Sequence, residues 1–153
     1  MKTHEPIISE VSLIYSTKVK ASERAQIKCS KDAFEIFMNS WSLDTIEHVE
    51  EFKLLLLNRS KKVLGISSLS KGGTAGTVVD VKLLLQYFVK CNANAIIICL
   101  NHPSGYLQPS ESDLKLTQKV KEAAILMDVS LLDHLILISK NSSVISRTPQ
   151  RRK

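Results

Sequence analysis

The sequence predicts a three-layer α/β domain in which helices pack around a mixed central sheet. Three observations support this class: strand-like and helix-like stretches alternate along the chain, a short apolar run at 95–100 is typical of a buried strand, and 153 residues suffice for one core. We therefore expect a single domain over residues 1–153. Within it, residues 1–29 are expected to form an N-terminal strand and lead-in, and residues 147–153 a basic tail.

The N-terminal half is expected to contain three strands and one helix. Residues 10–15 alternate between polar and apolar side chains, which predicts a strand. Ser30 is the expected N-cap of a helix over residues 31–41, whose apolar side chains recur at helical spacing. Residues 52–58 and 63–68 predict two strands of a hairpin, because a short polar segment separates two apolar runs.

The C-terminal half is expected to alternate between helices and strands. Asp80 is the expected N-cap of a helix that follows a glycine-rich loop at residues 70–77. The remaining predicted elements are a core strand over 95–100, a helix over 110–127, a strand over 131–139 and a short last strand over 142–146.

The composition is that of an ordinary globular domain. Hydrophobic residues make up 44% of the chain and charged residues 24%, and no apolar run is long enough to span a membrane. The first residues lack the apolar stretch of a secretory leader, and the three cysteines include no C-x-x-C pair. We therefore expect a cytoplasmic protein with reduced thiols and no membrane partner.

The net charge of +6 leaves two interpretations open. A basic surface can bind nucleic acid by neutralising phosphates, but no aromatic residues are interleaved with these charges to stack on bases. A solvated surface is the simpler interpretation, and nucleic acid stays open as a partner. The basic residues concerned are Lys18, Lys20, Arg24, Lys28 and Lys31 in the N-terminal third, and Arg147, Arg151, Arg152 and Lys153 in the tail.

The most informative segment follows the core strand directly. Residues 101–105 read Asn-His-Pro-Ser-Gly, and Ser110 then begins a helix that carries Asp113 in its first turn. A strand end that opens onto such a turn can bring the imidazole of His102, a hydroxyl and a carboxylate to one point. A hydrolytic metal site requires this combination of groups.

These residues resemble the RadC-like branch of the JAB/MPN (JAMM) metalloprotease-like domain family, often labelled DNA-repair proteins. Residues 131–136 and 50–58 support the same branch, so several segments match in the right order over roughly residues 30–140. The resemblance implies an MPN/JAB1-like fold with the layer architecture of cytidine deaminases. A cytidine deaminase itself is disfavoured, because neither an H-x-E nor a P-C-x-x-C run occurs.

The resemblance also implies a hydrolase of peptide or isopeptide bonds that uses one zinc ion and a zinc-activated water. The family holds zinc with the two histidines of an H-x-H pair and an aspartate, which His102 and Asp113 match in part. Ser110 matches the serine that stabilises the oxyanion. Glu50 best matches the general base, with Glu51 as the alternative. Taken singly, Ser110 is equally an N-cap and Asp113 a first-turn acid, so only their joint spacing indicates a metal site.

One position departs from the family pattern. Leu100 stands where the family has the first histidine, and leucine offers no lone pair. The loss of this histidine should weaken zinc binding by several kcal/mol, since structural sites derive about 10–16 kcal/mol from about four ligands. Cys99 is expected to face the opposite side of the strand, whereas the approach of His134 from a neighbouring strand stays open. The sequence thus predicts an impaired zinc site.

Three functions remain open at this point. The first is a zinc-dependent hydrolase of an unknown protein or peptide with a compromised metal site. The second is a catalytically inactive domain that binds a partner through the same cleft. The third is an accessory factor associated with nucleic acid or DNA repair, which the basic charge and the family label suggest.

Overall fold

The computed structural model describes residues 5–12, 14–72, 79–139 and 146–147. The described residues form one five-stranded mixed sheet and three α-helices. The strands are β1 (Glu51–Leu57), β2 (Val63–Lys71), β3 (Ala95–Asn101), β4 (Ser130–Leu137) and β5 (Ser146–Arg147), and the helices are α1 (Ser30–Ser40), α2 (Val81–Cys91) and α3 (Glu111–Leu126).

The sheet has the strand order β2-β1-β3-β4-β5. β1 runs antiparallel to both β2 and β3, β3 runs parallel to β4, and β4 runs antiparallel to β5. Every residue of β3 is buried. A strand that is buried along its whole length needs cover on both faces of the sheet, which the helices provide. It also lies in the middle of the sheet, between β1 and β4.

The two faces of the sheet carry separate cores, which confirms the predicted three-layer α/β class. Alternate residues of β3 belong to opposite cores: Ile98 and Leu100 pack on the side of α2 and α3, whereas Ile97 and Cys99 pack on the side of α1. The helices contribute Leu84, Phe88, Val120 and Ala124 to the first core and Ala33, Phe37 and Met38 to the second. No helix among the described residues combines the length and the apolar character that crossing a membrane requires.

Most predicted elements are confirmed. The hairpin is present as β1 and β2, the core strand as β3, and Asp80 caps α2 by accepting the Lys82 amide at 2.9 Å. The strand predicted over 131–139 appears as β4. Of the short strand predicted over 142–146, only Ser146 is described, and it belongs to β5. Most of the loop at 70–77 and most of the basic tail lie outside the described residues.

The predicted N-cap of the first helix is displaced by one residue. Cys29, not Ser30, occupies the cap position, and the Asp32 carboxylate accepts the amides of Lys28 and Cys29 at 2.8 and 3.2 Å. Ser30 begins the helix instead, and its hydroxyl donates to the buried carboxylate of Asp133 at 2.8 Å. The Ser30 side chain thus connects the start of α1 to β4, between residues that are 103 positions apart in the sequence.

The strand predicted over 10–15 is wrong for the described residues of that stretch, which have no regular secondary structure. The alternating pattern buries nothing here, since Val11 is 84% and Ile14 72% exposed. The first residue of β2 pairs with a segment that follows residues 10–15 in the sequence: the amide of Val63 donates to the carbonyl of Ala25 at 2.8 Å. Residues 25–27 thus pair with residues 61–63, just before and at the start of β2.

Candidate metal centre

The end of β3 opens into a cleft of about 440 Å³. Because β1 runs antiparallel to β3, the start of β1 lies beside the end of β3, and Phe52 pairs with Leu100. The cleft thus receives groups from the approach to β1, from the loop after β3 and from the start of α3. Its described lining consists of Glu50, His102, Ser104, Tyr106, Gln108, Pro109, Ser110 and Asp113.

His102 and Asp113 face each other directly. Nε2 of His102 lies 2.9 Å from Oδ2 of Asp113, and Nδ1 donates a hydrogen bond to the carbonyl of Tyr106. Both ring nitrogens therefore face oxygen acceptors, although a neutral imidazole can donate from only one nitrogen. The site stabilises positive charge at Nε2, either as a proton or as a metal ion that the imidazole and the carboxylate share. Metal-binding histidines commonly anchor their second nitrogen on a backbone carbonyl in this way.

The same contacts shift the pKa values of the pair in opposite directions. The hydrogen bond to Asp113 raises the pKa of His102 above its ordinary value, and burial opposes this effect. Burial acts to raise the pKa of Asp113, but the hydrogen bonds from His102 and from the Ser110 amide outweigh it and lower the pKa. The carboxylate is thus held in its charged form, as a metal ligand must be.

Glu50 completes a group of three donor residues. Single ligand atoms of Glu50, His102 and Asp113 all lie within 4.8 Å of one another. Glu51 points elsewhere: Ser68 Oγ donates to its carboxylate at 2.5 Å, and Lys53 Nζ lies 3.9 Å away. Of the two glutamates considered for the general base, the one brought to the cleft is Glu50.

Ser110 sits at the N-terminus of α3 and links that helix to the cleft. Its hydroxyl oxygen accepts the Asp113 amide at 3.1 Å, and its own amide donates to Asp113 Oδ2 at 2.9 Å. This reciprocal capping arrangement fixes the carboxylate of Asp113 toward His102. Ser110 therefore lies in the cleft with the other predicted site residues and also caps its helix.

Comparison with known proteins decides the family. The family model of the RadC-like JAB domain matches residues 27–150. The chain belongs to the RadC-like JAB domain family. It is 42% identical over 134 residues to a UPF0758 protein of Flavobacterium johnsoniae, which covers 83% of this chain and 57% of that protein.

Two further relatives show the same partial coverage. A UPF0758 protein of Porphyromonas gingivalis is 48% identical over 88 residues, which are 58% of this chain and 39% of the relative. A UPF0758 protein of Clostridium perfringens is 36% identical over 122 residues, which are 78% of this chain and 52% of the relative. The chain therefore spans about half the length of the curated relatives it matches.

In this RadC-like JAB domain, Leu100 is part of the apolar core. Its side chain is fully buried on the side of α2 and α3, in one cluster with Phe52, Leu54 and Ile98. Cys99 packs in the opposite core, which confirms that its sulfur faces away from the cleft. Position 100 thus contributes packing and no ligand.

His134 does not replace the missing imidazole in this arrangement. Its ligand atoms are outside the group of donors that lie within 4.8 Å of one another, and its Nδ1 lies 2.5 Å from the hydroxyl oxygen of Thr117. Within the described part of the chain, Nε2 of His134 has no hydrogen-bond partner. Burial lowers the pKa of His134 to about 4, more strongly than Asp113 and Asp133 raise it. His134 is therefore a neutral core histidine.

The donor set fits a divalent cation and fits the family's zinc incompletely. One imidazole nitrogen and two carboxylate oxygens meet at the cleft, whereas a two-histidine site would supply two nitrogens and one oxygen. His102 and Asp113 would hold the ion, and Glu50 lies beside them. Leu100 leaves the position of the first histidine without a donor.

Asn101 is a site residue that was not predicted from the sequence. Its side-chain amide donates to the carbonyls of Ile46 and Val49 at 2.8 Å each, and its oxygen accepts the Glu51 amide at 2.7 Å. These bonds hold the segment that carries Glu50 against the end of β3. The one feature of the sequence that points to Asn101 is its place as a single polar residue between the apolar run 95–100 and His102.

Proposed function

We propose that this chain is a metallohydrolase-type RadC-like JAB domain whose zinc site is impaired, so that hydrolysis of peptide or isopeptide bonds is weak or lost. The observation that carries the proposal is the burial of Leu100 in the apolar core two residues before His102. Two of the three family ligands, His102 and Asp113, then remain. A two-ligand zinc site binds the ion much more weakly than a three-ligand site, because each lost ligand removes several kcal/mol.

The other groups of a hydrolytic site are present in the cleft. A zinc ion, when bound, lowers the pKa of its water to near neutrality. The Glu50 carboxylate lies close enough to His102 and Asp113 to accept a proton at this point. Ser110 accepts the Asp113 amide with its oxygen, so its hydroxyl hydrogen remains for donation to an oxyanion at the helix N-terminus. Position 100 is the place in this set where a family ligand is lacking.

Metal analysis of the purified chain tests this proposal. After dialysis against a weak chelator, we expect much less than one zinc per chain in the wild type and a clear increase in Leu100→His. Leu100→Phe is the matched control, because it introduces a ring without a lone pair at the same buried position. Circular dichroism of each variant establishes that it is folded.

Three results would count against the impaired site or against impaired hydrolysis. Close to one zinc per wild-type chain would show that two family ligands suffice, and this measurement needs no variant. No gain of zinc in folded Leu100→His would show that the family ligands do not apply to this chain. Cleavage of a peptide library that is as fast with the zinc-loaded wild type as with Leu100→His, and absent with Glu50→Gln, would likewise contradict impaired hydrolysis.

A second candidate function is binding of nucleic acid in an accessory role, consistent with the family's repair label. The observation in its favour is a basic cluster at the far end of the sheet: Lys28 and Lys61 line one pocket, and Arg59 and Lys61 line its neighbour. Such a surface would bind phosphates, and among the described residues no aromatic side chain lines either pocket to stack on bases.

A salt titration separates this function from the first one. With a labelled single-stranded or double-stranded oligonucleotide, we expect affinity to fall steeply as ionic strength rises, and to fall further in a Lys28→Glu, Arg59→Glu, Lys61→Glu variant. Reversal of the exposed Lys115 and Lys119 on α3 is the control for net charge. Absence of binding at low salt would remove this candidate.

We also propose a cytoplasmic location. All three cysteines are free, and Cys29 is exposed at the start of α1. Free thiols, one of them exposed, are typical of a reducing compartment. Detection of the native chain in a cell fraction under thiol-blocking conditions checks this point, and a disulfide-linked form in vivo would contradict it.

A further inference from the structure

We propose that Glu50 is a metal ligand in this chain and not a general base. Together with His102 and Asp113 it forms a one-nitrogen, two-oxygen site, which favours harder divalent cations such as Mn²⁺ more than a two-histidine zinc site does. The inference rests on the proposed loss of the zinc site at Leu100. It goes further in assigning a new role to Glu50 and a different preferred class of ion.

The first support is the geometry of the three donors. Ligand atoms of Glu50, His102 and Asp113 lie within 4.8 Å of one another, and the His102–Asp113 separation is 2.9 Å. Adjacent ligands of a six-coordinate ion with bonds of about 2.1 Å lie about 3 Å apart. The imidazole and one carboxylate thus already stand at the spacing of neighbouring ligands, and a carboxylate oxygen of Glu50 lies within 4.8 Å of both.

The second support is the way in which the chain holds Glu50. Its carbonyl accepts the amide of Gly72 at 2.8 Å. Asn101 binds the residues on either side of it, the carbonyl of Val49 and the amide of Glu51. Backbone fixed on both sides presents the carboxylate at a defined place, as a first ligand to a metal requires.

The third support is the charge of the cleft. Two carboxylates approach one imidazole, and Asp113 is only 5% exposed. Among the described residues that line the cleft, none is lysine or arginine. Both carboxylates attract a divalent cation to this point, in addition to the interaction that Asp113 makes with His102.

The alternatives for a third ligand fit less well. Leu100 has no donor atom, Cys99 packs in the core on the other face, and His134 lies outside the group of converging donors. Glu50 is therefore the third donor that the described residues offer at this point. A carboxylate bound to the ion is a weaker proton acceptor than a free one, because the cation attracts its negative charge, so hydrolysis loses base strength at Glu50 as well as a family ligand at position 100.

The donor chemistry sets the preferred ion. Imidazole and thiolate ligands suit zinc, whereas carboxylate and water suit magnesium, calcium and manganese. Zinc still binds more tightly than manganese in absolute terms at a site of this kind. The measurable consequence is a smaller ratio of zinc affinity to manganese affinity than in a variant with the histidine pair restored.

A double-mutant cycle with metal affinity as the readout tests the role of Glu50. We measure binding of Mn²⁺ and Zn²⁺ by competition calorimetry for the wild type, Glu50→Gln, Leu100→His and the double variant. In the wild-type background, Glu50→Gln should lower the affinity for both ions by about tenfold or more, as expected on losing a ligand. In the Leu100→His background, the same change should lower the affinity for zinc by less than about threefold, because two histidines and Asp113 then hold the ion. Glu111→Gln, in the exposed first turn of α3, is the control and should change nothing.

The outcomes separate this inference from the proposed function. If Glu50→Gln leaves Mn²⁺ and Zn²⁺ affinity unchanged in the wild-type background, Glu50 is not a ligand and the inference is wrong, whatever Leu100→His does. If Leu100→His fails to strengthen zinc while Glu50→Gln still weakens Mn²⁺, the proposed function is wrong and the role of Glu50 stands. Should Leu100→His not fold, the Mn²⁺ electron paramagnetic resonance signal of wild type against Glu50→Gln decides alone: a retained bound signal overturns the inference.

Discussion

At the scale of single residues, Asn101 determines where Glu50 lies. Its side chain is fully buried and makes three hydrogen bonds to backbone groups of Ile46, Val49 and Glu51. A buried polar group that loses its partner costs about 1–3 kcal/mol, more than the net gain of making the bond. Asn101 therefore contributes both to stability and to the geometry of the cleft.

Replacement of Asn101 by aspartate should lower the free energy of unfolding by about 2–4 kcal/mol, because a carboxylate cannot donate to the two carbonyls it would face. Urea denaturation measures the change. Asn39→Ala, on the exposed side of α1, is the matched control and should stay within about 0.5 kcal/mol of the wild type. If Asn101→Asp and Asn39→Ala had the same small effect, the three bonds would not hold the segment.

Residue roles of this kind follow from the sequence only in part. Spacing alone placed His102, Ser110 and Asp113 together, since 11 residues separate the imidazole from the carboxylate and a capping turn lies between them. Asn101 escaped notice because its partners Ile46 and Val49 are 55 and 52 residues away. A side chain whose partners are backbone groups of a distant turn leaves no local pattern.

At the scale of elements, the start of α3 joins helix capping to the metal centre. The Asp113 carboxylate accepts the Ser110 amide and also lies against the imidazole of His102. Ser110 in return accepts the Asp113 amide. The carboxylate thus occupies its place as the N3 residue of a capping box, whether or not an ion is bound.

The change Ser110→Ala should cost about 1 kcal/mol of unfolding free energy, the usual effect of removing an N-cap hydroxyl. Ser110→Thr keeps the hydroxyl and should recover most of this loss. Thermal denaturation followed by circular dichroism detects both changes, and Ser112→Ala, exposed in the same turn, serves as the control. Equal melting temperatures for Ser110→Ala and Ser112→Ala would exclude the capping role.

Helices and strands were predicted correctly from the sequence where neighbouring residues determine their position. The buried run of β3 and the Asp80 cap of α2 depend on adjacent residues and were predicted correctly. The strand over 10–15 was wrong because alternation alone supplies no pairing partner: Val11 and Ile14 are exposed, and the segment that pairs at the start of β2 is residues 25–27. Alternation describes a strand only when a neighbouring strand is present to complete it.

At the scale of the whole molecule, the topology brings two histidines to the same face of the sheet. β3 runs parallel to β4, so His134 pairs with Ile98 on the face covered by α3, next to the layer that contains Leu100. His102 is charged readily, whereas His134 is kept neutral by burial. The two residues therefore make opposite contributions to stability as the pH changes.

The stability of the fold should fall as the pH is lowered from about 6.5 to about 4. His134 has a pKa of about 4 in the folded chain and about 6.5 when unfolded, so the unfolded chain binds a proton in this window and the folded chain does not. The stabilisation that His134 contributes is thus fully present above its unfolded pKa. It is lost as the pH falls to its folded pKa, and the loss is about 3 kcal/mol in total.

His102 acts in the opposite direction, since its raised pKa stabilises the fold at low pH and this gain is lost as the pH rises. The lowered pKa of Asp113 adds to the loss of stability from the acid end of this window downward, because the unfolded carboxylate begins to take up a proton there.

The change His134→Gln should flatten the acid side of the stability profile, because glutamine keeps a polar group for Thr117 and takes up no proton. Urea unfolding at several pH values between 4 and 7 measures the slope of the free energy of unfolding. His48→Gln, exposed in the turn after α1, is the control and should leave that slope as in the wild type. The groups around His134 are Asp113, Asp133 and His102, and none of them is changed in either variant. If His134→Gln and the wild type lose stability equally on acidification, the buried histidine is not the group whose protonation destabilises the fold.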